Sequence, residues 1–121
     1  MQTRRQFLEL GAAGGALAVV PASSAWADQG VTRDQISIGT IQDLSGPLVT
    51  LGKPIQNGMI MRAEQINADG GIHGRKLRLV VEDSGYDPRK GVLAAQKLLT
   101  QDRIFAMIGT LGSVVSLATI P

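Results

Sequence analysis

Across residues 31–121, short apolar runs alternate with longer stretches in which apolar residues recur every three or four positions. Ile36–Ile41 reads I-S-I-G-T-I, apolar residues alternating with small or polar ones at the period of a strand. Asp43-Leu44-Ser45-Gly46-Pro47 then interrupts the pattern, with Gly-Pro as the turn signal. From about Pro54, a residue suited to a first helical turn, Ile55, Met59, Ala63 and Ile66 repeat at helical spacing, and Arg62 and Glu64 fall outside that stripe. This helix should stop near Asp69, where Gly70-Gly71 supplies a left-handed end. Leu77–Val81 (L-R-L-V-V) is a second strand, apolar enough to be covered on both faces. Asp83–Pro88 turns the chain into a second helix over Pro88–Thr100. Asp87 is its N-cap, Pro88 its first residue, and Val92, Ala95, Leu98 and Leu99 its apolar face. Ile104–Ile108 (I-F-A-M-I) is a third, buried strand, and a third helix starts after Gly109-Thr110-Leu111-Gly112-Ser113.

The order β-α-β-α-β-α predicts an α/β fold built on a parallel sheet with helical crossovers. In such sheets ligands bind outside the carboxyl ends of the strands. The functional loops are therefore expected at Gln42–Lys53, Glu82–Asp87 and Gly109–Ser113.

Residues 1–27 follow a different rule. Arg4-Arg5 precedes Phe7-Leu8, and the uncharged stretch Leu10–Val20 carries Gly11, Gly14 and Gly15. That stretch is far shorter than the roughly 20 residues of a spanning helix. Pro21 and a run of small residues lead to Ala25-Trp26-Ala27, an A-x-A cleavage pattern. The segment resembles a twin-arginine (Tat) signal peptide cleaved after Ala27. Glu9 departs from that pattern, so a general secretory signal is the alternative. An amphipathic first helix is opposed by the three glycines. Without a cysteine after the apolar core, a lipoprotein anchor is excluded.

The composition of the 121 residues, 44% apolar and 18% charged, is that of a globular protein and excludes collagen-like, coiled-coil and highly charged disordered chains. The absence of cysteine removes disulfides, thiolate zinc sites and cysteine nucleophiles. His73 is the single histidine, which excludes a His-rich metal site. Aromatic residues, at 3%, argue against base-stacking nucleic-acid folds. Arg4, Arg5 and Glu9 leave with the leader, so the net charge of +2 falls by one in the remainder. The basic residues Arg75-Lys76 and Arg78 are split by Leu77, a solvated turn and not a phosphate-binding patch.

The loops contain no G-x-G-x-x-G, no P-loop and no G-x-S-x-G elbow. Asp43, Glu82, Asp83 and Asp87 all stand at carboxyl ends of strands, where carboxylates serve either as an acid–base pair or metal site, or as turn formers and caps. His73 is flanked by glycines in a turn at the opposite edge. Tyr86 either packs on a ligand or covers the end of the sheet. Gly109 and Gly112 flank Thr110-Leu111 and Ser113 opens a helix, so this turn offers unpaired N–H groups for a carboxylate or phosphate. Ser113 Oγ either adds a donor there or caps its own helix, and spacing does not separate the two.

Three motifs occur in order: I-S-I-G-T-I-Q-D-L-S-G-P at 36–47, I-N-A-D-G-G-I-H-G-R-K-L at 66–77 and V-V-E-D-S-G-Y-D-P at 80–88. Together they resemble the start of a periplasmic solute-binding protein of the branched-chain amino-acid (leucine/isoleucine/valine-binding) type of ABC importer, over essentially all of 31–121. The resemblance implies a type I periplasmic binding protein in which two α/β lobes close on a ligand, with residues 28–121 forming the N-terminal part of the first lobe. It implies a non-enzymatic substrate-binding component, periplasmic, without cofactor or metal and monomeric when complete. Such a component delivers a small carboxylate-bearing solute to ABC permease and ATPase subunits after export by the Tat translocon. The family holds its ligand's carboxylate with a serine hydroxyl and backbone N–H groups in the turn after the third strand. Ser113 matches that serine, and Leu111 and Gly112 share its turn. An aromatic residue that lines the pocket of amino-acid binders is replaced here by Leu51. Some members join the second and third loops by a disulfide, where this chain has Tyr86 and Gly112. The alternative functions are a periplasmic sensory or regulatory binding lobe, and an exported α/β enzyme, for which these residues supply no nucleophile–base pair.

Overall fold

A computed structural model describes residues 28–120. The signal-peptide reading falls on residues 1–27, outside the described residues. The elements are β1 (Gln35–Gln42), α1 (Val49–Ala68), β2 (Lys76–Asp83), α2 (Pro88–Thr100), β3 (Ala106–Thr110) and α3 (Ser113–Thr119). The strands form one parallel sheet in the order β2-β1-β3, so β1 is paired along both sides.

The period-2 pattern of β1 sends alternate residues to opposite faces of the sheet. On one face Ile41 joins Ala94, Ala95 and Leu98 of α2, Ile104 and Val115 of α3 in the main core, with Val80 and Met107 against it. Ile41, Leu98 and Val115 are completely buried. Each such side chain contributes roughly 1.5–3 kcal/mol when fully withdrawn from water. Ile38 points the other way. There it lines an apolar groove of about 440 Å³ with Ile55, Met59 and Ile66 of α1, Leu79 and Ile108.

Local signals set most of the helix ends. Asp87 accepts from Arg89 N at 2.7 Å and Lys90 N at 3.4 Å, with Pro88 behind it, as the sequence predicts. At the end of α1, Gly71 N bonds to Ile66 O at 2.8 Å and Gly70 N to Asn67 O at 3.4 Å, with Gly70 at φ +102°. This is a Schellman stop, which explains the Gly-Gly pair. Asn67 then clasps β2 with its amide, accepting from Leu77 N at 2.7 Å and donating to Leu77 O at 2.8 Å.

Several expected boundaries move. α1 begins at Val49, not near Pro54, because its first turn is held from outside by Asp43, whose carboxylate accepts from Leu48 N. Pro54 lies inside the helix and removes the donor to Thr50 O. The third strand is Ala106–Thr110, not Ile104–Ile108. Ile104 precedes it and drops into the core over Gly39, where a Cβ would stand 2.7 Å from Ile104 Cδ1. β2 and β3 are the sheet edges; β2 still meets α1 through Leu77 and Leu79 on one face and the α2 core through Val80 on the other, whereas Ile108 of β3 is exposed. Leu99 is exposed too, and Gly91 and Ala94 complete the buried face of α2 in its place.

Gly52 is buried with its Cα against the Asp43 carbonyl, in a space that a Cβ cannot share. Gly52→Ala should therefore destabilise the protein by about 2–3 kcal/mol in urea unfolding, in the range for overpacking. Gly58→Ala, in the same helix with nothing within 4 Å of the added Cβ, should stabilise it by about 0.5–1 kcal/mol.

Candidate functional site

The carboxyl ends of the strands carry the loops 43–48, 84–87 and 111–112, and each is tied to a different residue at the end of β1. Asp43, fully buried, accepts from Gly46 N at 2.5 Å and Leu48 N at 2.7 Å, folding the first loop over its own carboxylate. Gln42 O accepts from Ser84 N at 2.9 Å and Ser84 Oγ at 3.2 Å, anchoring the second loop through a fully buried serine. Ile41 O accepts from Leu111 N at 2.9 Å and so starts the third loop. Thr40 Oγ1 donates to Gly109 O at 2.8 Å and accepts from Gln42 Nε2 at 2.7 Å.

The loops also lock to one another. Asp83 accepts from Leu44 N (2.8 Å) and Ser45 Oγ (2.6 Å) in the first loop and from Gly85 N (2.9 Å) in the second. Gly46 lies directly on the Gly85 carbonyl. Between the second and third loops, the Tyr86 ring rests on Gly112. Burial works against the Asp83 carboxylate. The hydrogen bonds from Ser45, Leu44 and Gly85, with Lys90 nearby, outweigh it and hold the group below its ordinary value of 3.8.

Four carboxylates thus do separate structural work. Asp43 folds the first loop, Asp83 joins two loops, Asp87 caps α2, and Glu82 pairs with Lys97. Among the described residues, no group of three or more His, Cys, Asp or Glu side chains is placed to hold a metal ion. His73 has φ +50° in the exposed turn between Ile72 and Arg75, at the opposite edge of the sheet.

Tyr86, Leu111, Gly112 and Ser113 come together at one corner of the carboxyl edge. Gly112, at φ +98°, is the N-cap of α3, and Ser113 is the first helical residue. Among the described residues no side chain caps this helix, and the exposed Ser113 hydroxyl has no hydrogen-bond partner. Leu111 is half-buried and its N–H is committed to Ile41. Leu51 sits on a different element, the first turn of α1, at the same edge and 54% exposed. Sequence reasoning passed over Gln42 and Ser84, both buried and polar. Gln42 Oε1 has no hydrogen-bond partner among the described residues. A glutamine closing the strand directly after Ile41, next to Asp43, was the available signal.

The chain belongs to the periplasmic binding protein family, whose pattern matches residues 35–121. This is a family of solute-binding transport components, not of enzymes. The chain is similar to the Leu/Ile/Val-binding protein BraC3 of Rhizobium johnstonii, 37% identical over 68% of this chain and 22% of that protein. It is also similar to the leucine-specific-binding protein of Salmonella typhimurium, 38% identical over 70% of this chain and 23% of that protein. Among solved structures, it resembles a fatty acid ABC transporter substrate-binding protein from Thermomonospora curvata. That match has a TM-score of 0.68 and 36% identity over 74% of this chain and 23% of the other. The branched-chain amino acid transporter substrate-binding protein of Streptococcus pneumoniae, solved with isoleucine, matches with a TM-score of 0.69 and 29% identity over 72% of this chain and 25% of the other. The chain thus spans about a fifth to a quarter of the length of these relatives. The parallel sheet and alternating helices are those of a type I periplasmic binding protein lobe, as expected from the sequence. No described helix is long and apolar enough to cross a membrane.

A group whose folded-state pKa is depressed stabilises the fold above its unfolded pKa and loses that contribution as pH falls through the folded value. Asp83 follows this sign. Stability should therefore drop as pH is lowered below about 4. Asp83→Asn should be less stable at neutral pH and show a shallower acid-side decline in thermal melts recorded from pH 7 to pH 2.

Proposed function

We propose that residues 28–121 form the N-terminal part of the first lobe of a solute-binding protein that serves an ABC importer. Residues 1–27 act as its Tat-type export signal. Its solute is a small carboxylate-bearing molecule, captured at the carboxyl edge of the sheet when a second lobe closes over it and then passed to the membrane permease. The observation that carries this reading is the exposed Ser113 hydroxyl, left uncapped in a loop that is fixed on both sides. Ser113 Oγ and the neighbouring N–H groups donate to the solute carboxylate. Gly112 permits close approach, Leu111 and Leu51 supply apolar surface, and the Tyr86 ring borders the turn from the second loop.

The names of the relatives support a carboxylate as the shared feature. Leucine, isoleucine, valine and fatty acids differ in their tails and in the amino group, but all carry a carboxylate. Leu51 in place of an aromatic residue fits an aliphatic or extended tail as well as an amino-acid side chain.

In the complete protein, Ser113→Ala should weaken solute binding by about 1–3 kcal/mol, roughly 5- to 150-fold, the range for a hydrogen bond to a charged group. Isothermal calorimetry with branched-chain amino acids, short fatty acids and aromatic acids measures this. Because Ser113 does not cap α3, the melting temperature should barely change. Equal affinity in the variant, or no binding of any of these acids, contradicts the assignment.

A further inference from the structure

We infer that Tyr86 is the positioning residue of the third loop, holding Gly112 and Ser113 in place through its ring. This inference rests on the reading of Ser113 as a solute contact, but the contact itself does not.

Tyr86 has φ +61°, in the left-handed region that a bulky aromatic residue seldom occupies. The conformation is imposed by the turn around it. Tyr86 N donates to Ser84 Oγ at 3.2 Å and Asp87 N to Ser84 O at 2.9 Å, and Ser84 itself is bonded to the central strand. Strained backbone of this kind persists only where the surroundings over-determine it. Its result is to turn the ring across the gap between the second and third loops.

The ring meets Gly112, which is also in a left-handed conformation. A Cβ on residue 112 would stand 2.8 Å from Tyr86 Cδ2 and closer still to Cε2. The ring therefore fills the place of a side chain at the residue immediately before Ser113. Downstream, α3 runs only from Ser113 to Thr119, too short to be stable by its own hydrogen bonds. Its Val115 is held in the core, while Val114 and Leu117 are exposed. Val115 on Gly91 and the Ser116 hydroxyl, bonded to Thr110 O at 3.3 Å, hold the body of α3, while its first residues are flanked by Leu111 bonded to Ile41 on one side and by Tyr86 on the other. The contacting atoms are ring carbons and not the hydroxyl, which sets Tyr86→Phe apart from smaller replacements.

Hydrogen exchange of the complete protein without solute reads this directly. Tyr86→Ala should speed exchange of the Leu111 and Ser116 amides, which are bonded to Ile41 O and Gly112 O, about tenfold or more while β1 amides keep their rates, and Tyr86→Phe should leave both groups unchanged. If Tyr86→Ala does not fold, Tyr86→Leu gives the same readout. Unchanged exchange at Leu111 and Ser116 in the ring-free variant overturns the inference. A second arm uses isoleucine and octanoate as probes in a double-mutant cycle with Ser113→Ala. Tyr86→Ala should weaken binding at least fivefold alone and less than twofold in the Ser113→Ala background, because it acts through that residue. Equal losses in both backgrounds would make Tyr86 an independent solute contact and overturn the inference. Loosened amides without any binding of either probe would instead count against the solute reading and leave the positioning role standing.

Discussion

At the end of the central strand, consecutive backbone carbonyls and one carboxylate each hold a different loop. Ile41 O takes Leu111, Gln42 O takes Ser84, and the Asp43 carboxylate takes Gly46 and Leu48. All three residues are at most 2% exposed, so these bonds form away from competing water. β1 can do this because it is paired on both sides, and a one-residue slip would take Ile41 out of the α2 core and Ile38 out of the groove under α1. The positions of the loops are therefore a property of the sheet.

The acidic residues are absorbed in the same construction. Asp43 and Asp83 spend their oxygens on N–H and O–H groups of the loops, Asp87 on a helix end, and Glu82 on Lys97. The exposed Ser113 hydroxyl stays free of these carboxylates, and Lys90 stands beside Asp83. Tyr86 and Gly112 close the ring of contacts, so that the first loop touches the second and the second touches the third. The turn that carries His73 stands at the other edge and takes no part.

Much of this was legible in the chain because its signals are local. The alternation of Ile36–Ile41, the Asp87-Pro88 cap and the Gly70-Gly71 stop each act within a few residues, and each appears where expected. What could not be read depends on partners distant in sequence. α1 starts early because Asp43 reaches forward to hold Leu48. The I-F-A-M-I run places its first isoleucine in the core because Gly39 leaves room above β1. An apolar run cannot reveal that β2 and β3 are edges, since that depends on strand order. The two roles open to Ser113 were separated only by Gly112, whose non-helical backbone at φ +98° takes the cap position and makes Ser113 the first helical residue.

The central claim is that the loops at the carboxyl edge form one preorganised, solute-facing surface. Hydrogen exchange on the complete protein, with and without a saturating acid selected from branched-chain amino acids and fatty acids, tests it most directly. The account predicts added protection confined within this region to 43–52, 84–87 and 109–114. The turn at 70–76 and the segment 28–34 at the opposite edge should be unchanged. Protection at the His73 turn, with none at Gly112 and Ser113, would contradict it.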